Sequence, residues 1–219
     1  MDPGPQVVTY LFGHEALPVT HTLIWSWVVC VVIIIGAVMA TKKMEMVPTG
    51  LQNVGESIVV LVLDQIEPMM PGQGRRMLPL IGTIFIYIGL ANLVGFIPAV
   101  DNPTADLNTT LSLGLLVFVI SHYEGMKVRG PLGYIKSFGQ PTIFLFPLNF
   151  VGELAKPISH SFRLFGNMVG GGIIIMLIYQ AAPWIVPVAL HAWFDLFVGA
   201  VQALIFGMVA IAYIAVARQ

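Results

Sequence analysis

The chain has 219 residues and a net charge of −1; 57% of its residues are hydrophobic and only 10% are charged. Its mean hydropathy is +0.88, whereas soluble domains carry about 25% Asp, Glu, Lys and Arg. This composition excludes soluble enzymes, nucleic-acid-binding proteins and disulfide-rich scaffolds, so we expect no nucleic-acid partner. The single cysteine, Cys30, lies within an apolar stretch and cannot form an intramolecular disulfide.

Five long stretches contain no Asp, Glu, Lys or Arg, and they cover most of the chain. They are 16–41, 77–100, 107–123, 164–194 and 196–217. About 20 apolar residues span a bilayer as an α-helix. The predicted fold is therefore an all-α, polytopic membrane protein with a single membrane domain over 1–219 and about five transmembrane helices.

The first predicted span, 21–40, begins with Trp25 and Trp27, which are typical of the membrane–water interface. Lys42 and Lys43 follow it directly. Because basic residues concentrate on the cytoplasmic side of a membrane, we predict that the N-terminus lies outside and that this helix ends in the cytoplasm. Neither Lys nor Arg precedes Lys42, so the segment lacks the basic start of a signal peptide and is expected to remain in the protein.

The segment 51–70 carries too many acidic residues to read as a span. Its polar side chains fall close to one helical stripe made of Gln52, Glu56, Asp64 and Glu67. We predict an amphipathic helix in the cytoplasmic interface, ended by Glu67-Pro68. A helix packed against protein is the other interpretation.

Four further membrane helices are predicted, at 78–97, 107–122, 142–182 and 188–217. The last two are long and form a tilted hairpin that turns at Pro183. A helix over 142–182 would be about 60 Å long, so it must tilt steeply or break near Pro147 and Pro157. Eight of the ten basic residues then lie on the predicted cytoplasmic side, including Arg218 at the C-terminal end.

The other two basic residues, Lys156 and Arg163, lie inside the predicted helix 142–182. Charged groups persist in a membrane only where they face protein or water, so they mark function. Steps of three or four residues place a polar stripe on one helix face: Glu153, Lys156, Ser159 or His160, Arg163 and Asn167. The final helix carries a second stripe made of His191, Asp195 and Gln202. Since the two helices run antiparallel, we expect Gln202 opposite Arg163 and Asp195 near the level of Asn167.

Structural interpretations of these residues stay open at this point. The alternative for Arg163 is an ion pair with Asp195. The alternative for His160 and for His191 is a satisfied histidine of the core or the interface. Asn92, in the middle of 78–97, either hydrogen-bonds a neighbouring helix or lines a polar path.

Two neighbouring motifs resemble the subunit a family of F-type ATP synthases: ELAKPIS at 153–159 and RLFGNM at 163–168. Segments similar to other family markers are LANL at 90–93, ADLNTTL at 105–111 and VQALIF at 201–206. The resemblance covers about 47–218, and the arginine motif is its specific part. In this family, subunit a is the stator beside a rotating ring of c subunits, whose carboxylates carry protons, or sodium in some members.

The resemblance implies a non-catalytic subunit that couples proton flow, through two offset half-channels, to rotation and ATP synthesis. The implied partners are the c-ring subunits, subunit b of the peripheral stalk, the rest of the F-type ATP synthase and the lipid bilayer of a bacterial inner membrane. Neither a cofactor nor a metal ion is implied. Arg163 matches the essential arginine. The other implied proton-translocation residues are Asn167 and Gln202 near it, Ser159, His160 and Glu153 on the inner access path, and Asn92.

One pair of positions departs from the family pattern. Some members carry a glutamate nine residues after the arginine and a histidine seven residues before the glutamine. This chain has Gly172 and Asp195 at those positions. We therefore predict that Asp195 serves as the outer proton relay.

Two other functions are weighed against this one. A secondary transporter or ion channel would bind an anionic substrate at the mid-membrane arginine, but the chain has no inverted repeat or paired broken helices. A haem-carrying subunit of an electron-transfer complex is disfavoured, because His122, His160 and His191 lie on three different segments and form no obvious axial pair.

Overall fold

The computed structural model describes residues 7–10, 18–42, 44–97, 100, 102–139, 142–181 and 186–218. The described residues contain five helices that are long and apolar enough to cross a membrane. The prediction of an all-α, polytopic membrane protein is confirmed. The structure adds a short antiparallel pair of strands that the composition does not indicate, β1 (Val7–Tyr10) and β2 (Pro18–Thr20).

After the strands, the described residues form eight α-helices. They are α1 (His21–Thr41), α2 (Gly50–Ile66), α3 (Gly74–Val94), α4 (Leu107–Arg129), α5 (Pro131–Ser137), α6 (Phe146–Ala181), α7 (Val186–His191) and α8 (Gly199–Arg218). A π-helix, Ala192–Val198, joins α7 to α8, so that Val186–Arg218 is one continuous helix. Short 3₁₀ turns, Pro103–Ala105 and Ile143–Leu145, precede α4 and α6.

Local chemistry explains where several helices begin and end. The side chain of Asp106 caps α4 by accepting from the Asn108 amide at 2.9 Å. The same helix ends at Gly130, whose φ of 74° favours glycine, and not at residue 122 as predicted. The helix α2 ends at Ile66, two residues before Pro68, which has no N–H to continue the helical hydrogen bonds.

The helix α6 continues without interruption through Pro157, which excludes the predicted break there. Its 36 residues give a length of about 54 Å, whereas the apolar layer of a bilayer is about 30 Å thick. Of the two predicted ways to fit this helix into a membrane, only the steep tilt remains. The predicted turn at Pro183 lies outside the described residues.

The core lies where α3, α4, α6 and α8 meet. The apolar side chains buried there include Ile81, Ile88, Val117, Leu164, Phe206, Ala210 and Ile214. The helix α2 packs on this bundle through Val62 and Ile66, as in the second interpretation of its amphipathic pattern. Its position in a membrane interface stays a prediction.

The bundle has two chemically different ends. We call the end with Arg76, Lys127, Arg129, Lys136 and Arg218 the basic end, and the end with β1 and β2 the strand end. At the basic end the buried carboxylate of Glu124 binds Arg76 at 2.5 Å and also binds Arg218. This three-residue cluster joins α3, α4 and α8.

Glu124 was missed by the sequence reasoning, which assigned Arg76 and Arg218 to membrane orientation only. The sequence does carry a signal for this residue, since Glu124 is the only acidic residue between 107 and 152.

Candidate functional site

Arg163 lies on the outer surface of the bundle, on α6. Its side chain is exposed and makes no hydrogen bond or ion pair with any described residue. The alternative of an ion pair with Asp195 is excluded, since Asp195 binds His191 instead. A charged group in a membrane segment needs water or a protein partner. The partner of Arg163, whether water or a group of another protein, therefore lies outside the described part of the chain.

Asn167 and Gln202 join α6 to α8 one helical turn from Arg163. The Asn167 side-chain amide donates to Oε1 of Gln202 at 2.7 Å. Gln202 is buried, whereas Asn167 is exposed on the same surface as Arg163. The predicted approach of Gln202 to the arginine region is therefore present, but its direct partner is Asn167.

Asp195 lies further towards the strand end than predicted. Its neighbour Phe194 packs against Gly171, one turn beyond Asn167 along α6. Within the π-helix, the Asp195 carboxylate lies 2.6 Å from Nδ1 of His191, and the two side chains are 14% and 27% exposed. A π-helix is rare and often occurs at functional sites. The pair is thus partly accessible and lies on the strand-end side of Arg163.

Gly172 faces open space. A Cβ placed at Gly172 would meet no atom within 4 Å. The position where some family members carry a glutamate is therefore unobstructed in this chain, and no described residue fills it.

Glu153 and Lys156 form an ion pair on the basic-end side of Arg163. They line a cleft of about 500 Å³ together with Arg129, Tyr134 and Asn149. Burial, with a further contribution from Glu153, raises the pKa of Tyr134, so this phenol lines the cleft as a neutral hydroxyl. Polar and charged groups thus surround an opening at the basic end.

Ser159 and His160 are neighbours in sequence but face opposite environments. Ser159 is exposed on the surface of α6 that carries Arg163. His160 is 3% exposed, and its ring packs on Phe206 with 3.7 Å between ring centroids. Both His160 ring nitrogens lack a hydrogen-bond partner among the described residues. His160 also lines a small cavity of about 10 Å³ with Ser121, Lys156 and Tyr213.

Asn92 lies in a separate polar network. It is fully buried, donates to the Gly199 carbonyl at 2.9 Å and accepts from the Thr104 hydroxyl at 2.6 Å. Gly199 is the first residue after the π-helix. Of the two interpretations of Asn92, this geometry corresponds to a hydrogen bond between helices. Its predicted role in proton translocation stays untested.

The structure therefore arranges the predicted residues in order along the seam between α6 and α8. Asp195 lies towards the strand end, Asn167 with Gln202 near Arg163, and His160 and Glu153 towards the basic end. The sequence reasoning missed Phe206 and Tyr213, which follow Gln202 by four and eleven residues and so share its helix face.

Comparison with known proteins covers this whole region. Residues 23–215 match the family described as ATP synthase A chain. The ATP synthase subunit a of Moorella thermoacetica is 35% identical over 205 residues, 94% of each chain. ATP synthase subunit a 2 of a Bradyrhizobium species is 36% identical over 217 residues, 99% of this chain and 97% of the relative.

A third relative is named for its ion. The ATP synthase subunit a of Propionigenium modestum, named as sodium ion specific, is 36% identical over 229 residues, 98% of this chain and 79% of the relative. The matched segment contains Arg163 and every other residue of the α6–α8 seam described above. The chain therefore belongs to the ATP synthase A chain family, the subunit a family of ATP synthases.

Proposed function

We propose that this chain is the membrane stator subunit of an F-type ATP synthase, and that it couples proton flow to rotation of a ring of c subunits. Arg163 carries the proposal, because it is exposed on α6 and has no counter-charge in the described chain. The surface beside it is open, since a Cβ at Gly166 or Gly170 would meet no atom within 4 Å. A partner helix with a carboxylate can therefore approach the arginine closely.

The chemistry of that approach gives a mechanism. A ring carboxyl group that faces lipid stays protonated, because lipid solvates the ionised form poorly. Beside the guanidinium of Arg163 the carboxylate is stabilised, so the carboxyl group releases its proton to a half-channel. Each charge that crosses the membrane potential releases about 2.3 kcal/mol per 100 mV. This chain guides the proton and catalyses no covalent step.

The polar residues on each side of Arg163 support two half-channels. On the strand-end side, His191 and Asp195 lead towards Asn167 and Gln202, and Asp195 acts as the outer proton relay. An imidazole paired with a carboxylate is suited to proton transfer. On the basic-end side, the cleft at Glu153 leads towards His160 and Ser159. The two paths meet only through the ring.

The proposed orientation places the strand end outside and the basic end in the cytoplasm, within a bacterial plasma membrane. The support is the positive-inside rule, since the basic residues of the loops concentrate at one end. The proposed partners are the c-ring, subunit b of the peripheral stalk and the remaining synthase subunits. The helix α1 is available to subunit b or lipid, because only a few of its residues are buried within the chain.

The alternative of a secondary transporter or ion channel has less support. A substrate site is usually a concave pocket that surrounds its ligand. Arg163 instead points away from the bundle, and the cleft at the basic end is lined by other residues. The arginine is better placed to meet a second protein.

The decisive experiment replaces the arginine. Inverted membrane vesicles that contain the Arg163→Ala synthase should show no ATP-driven proton pumping in sodium-free buffer, while the complex still assembles. The matched control is Arg75→Ala, because Arg75 is an exposed arginine at the basic end of the same chain. Full pumping by the Arg163→Ala complex would overturn the proposal.

A further inference from the structure

Two buried polar side chains near Phe206, those of His160 and Gln202, have atoms without a hydrogen-bond partner among the described residues. Among the described residues, the buried side-chain nitrogen and oxygen atoms without a partner are both ring nitrogens of His160 and Nε2 of Gln202. Buried polar groups bind water where protein offers no partner. Two hydrated places are therefore expected inside the bundle, behind the surface that carries Arg163.

The place next to His160 connects towards the basic end. The cavity beside His160 is also lined by Lys156 and Tyr213, and the Lys156 ammonium lies 5.4 Å from the Tyr213 ring centroid. Lys156 in turn lines the open cleft with Glu153. A chain of polar groups thus runs from the basic end to the His160 ring, inside this chain and not only along its surface.

The place next to Gln202 connects in the other direction. Gln202 accepts from Asn167, and Asp195 precedes Gln202 by seven residues, about 10 Å along the helix towards the strand end. If nothing lay between Gln202 and His160, water could connect the two hydrated regions. Protons could then pass through this chain without using the ring.

Phe206 occupies that gap. It follows Gln202 by about 6 Å along α8 towards the basic end, and its ring packs directly on His160. Phe206 and Leu164 are both buried members of the apolar core, and Leu164 directly follows Arg163 in sequence. An apolar layer therefore crosses the interior of the bundle at the level of Arg163.

We propose that Phe206, backed by Leu164, forms an apolar seal that stops protons from passing between the two half-channels inside this chain. The inference rests on the proposed function and adds a second barrier to it. Arg163 blocks the path at the surface by its charge, and Phe206 blocks the interior path by excluding water. An apolar constriction interrupts the chain of hydrogen-bonding groups that proton transfer requires.

The test measures proton flux that does not need ring rotation. Vesicles with the complete synthase are treated with a carbodiimide, which modifies protonated carboxyl groups of the ring, and proton uptake is followed under an imposed membrane potential. Treated wild-type vesicles should be tight, whereas treated Phe206→Ala vesicles should take up protons several-fold faster, because the shortened side chain leaves room for water. Phe206→Leu should restore the seal.

The control is Phe85→Ala, which shortens a partly buried phenylalanine that packs on the same core from α3. It should leave the treated vesicles tight. Leu164→Ala removes the other half of the layer and serves as the second variant if Phe206→Ala assembles poorly, with flux expressed per assembled complex. Leu164→Ala should also increase the proton uptake that remains after carbodiimide treatment.

The seal would be overturned if carbodiimide-treated vesicles of either variant took up protons as slowly as treated wild-type vesicles, while the untreated vesicles still conducted protons. This outcome would leave the proposed function standing. A wild-type complex without carbodiimide-sensitive proton flux would instead contradict the proposed function.

Discussion

Asp195 is the last acidic residue of the chain, and its surroundings suit a proton relay. The carboxylate contacts the His191 ring at 2.6 Å and remains 14% exposed. A fully buried carboxylate would be isolated from water. The proposed relay role requires a carboxylate that water can reach, and the 14% exposure of Asp195 meets that requirement.

Replacing Asp195 with Asn should slow proton uptake from the outer side, because an amide cannot accept and release a proton at neutral pH. Proton uptake in vesicles of known orientation, with the proton source on one side at a time, measures this effect. Asp195→Glu should retain most of the rate. Asp64→Asn is the matched control, because Asp64 is an exposed acid on α2. An unchanged outer uptake rate in Asp195→Asn would assign Asp195 a structural role.

The residue types of the site were predictable from sequence, but their surroundings were not. Arg163 and His160 are three residues apart, about 60° around a helix, so the pattern placed both on one stripe. In the structure the boundary of the packed surface falls between them, with Arg163 exposed and His160 buried against Phe206. That boundary depends on where α4 and α8 pack, which the local pattern does not contain.

At the scale of elements, the contact between α6 and the π-helix is unusually close. A Cβ at Gly171 would lie 2.9 Å from Cδ1 of Phe194. Gly199, just after the π-helix, approaches Asn92 equally closely, because a Cβ there would lie 2.9 Å from the Asn92 Cβ. Glycine at these two positions lets the π-helix pack against both α6 and α3.

Gly171→Ala should therefore destabilise the α6 contact, since inserting a methyl group into a packed interface costs about 1–3 kcal/mol. Gly172→Ala is its neighbour control, because that site is open and alanine favours a helix over glycine by about 1 kcal/mol. The measurement is the temperature at which this chain is lost from the detergent-solubilised complex. Gly171→Ala should lower that temperature and Gly172→Ala should not. Equal temperatures for the two variants would contradict the packing argument.

The helices that cross the membrane were predictable because the spans are long, apolar and almost free of charge. The π-helix was not predictable, because it has no periodic pattern of its own. The extension of α4 to Arg129 was missed for a similar reason. Hydropathy falls near His122, but the helix continues because Glu124 binds two arginines of other helices.

At the scale of the whole molecule, hydrogen bonds and ion pairs join the helices at both ends. Glu124 binds Arg76 and Arg218 at the basic end. At the strand end, the Thr22 hydroxyl donates to Asp106 at 2.7 Å and so connects α1 to the start of α4. These polar groups lie where the helices reach water in the proposed orientation, and the apolar core lies between them.

The orientation can be tested with single cysteines in a Cys30→Ser background. Val8→Cys at the strand end and Leu132→Cys at the basic end introduce thiols at side chains that are 49% and 76% exposed. A membrane-impermeant thiol reagent should label Val8→Cys only in right-side-out vesicles and Leu132→Cys only in inverted vesicles. The reverse pattern would place the basic end outside the cell and contradict the positive-inside assignment.

Pro157 leaves a main-chain carbonyl at Glu153, a residue that lines the basic-end cleft, without its helical hydrogen-bond donor. A proline has no N–H, so the backbone carbonyl of Glu153, four residues earlier in α6, loses its helical donor. Glu153 lines the cleft, so this residue contributes a carboxylate held by Lys156 and also a main-chain oxygen that is free of the helical ladder. The second acceptor is a fixed dipole that carries no net charge at any pH. A main-chain acceptor therefore remains at Glu153 even when the carboxylate is protonated or removed.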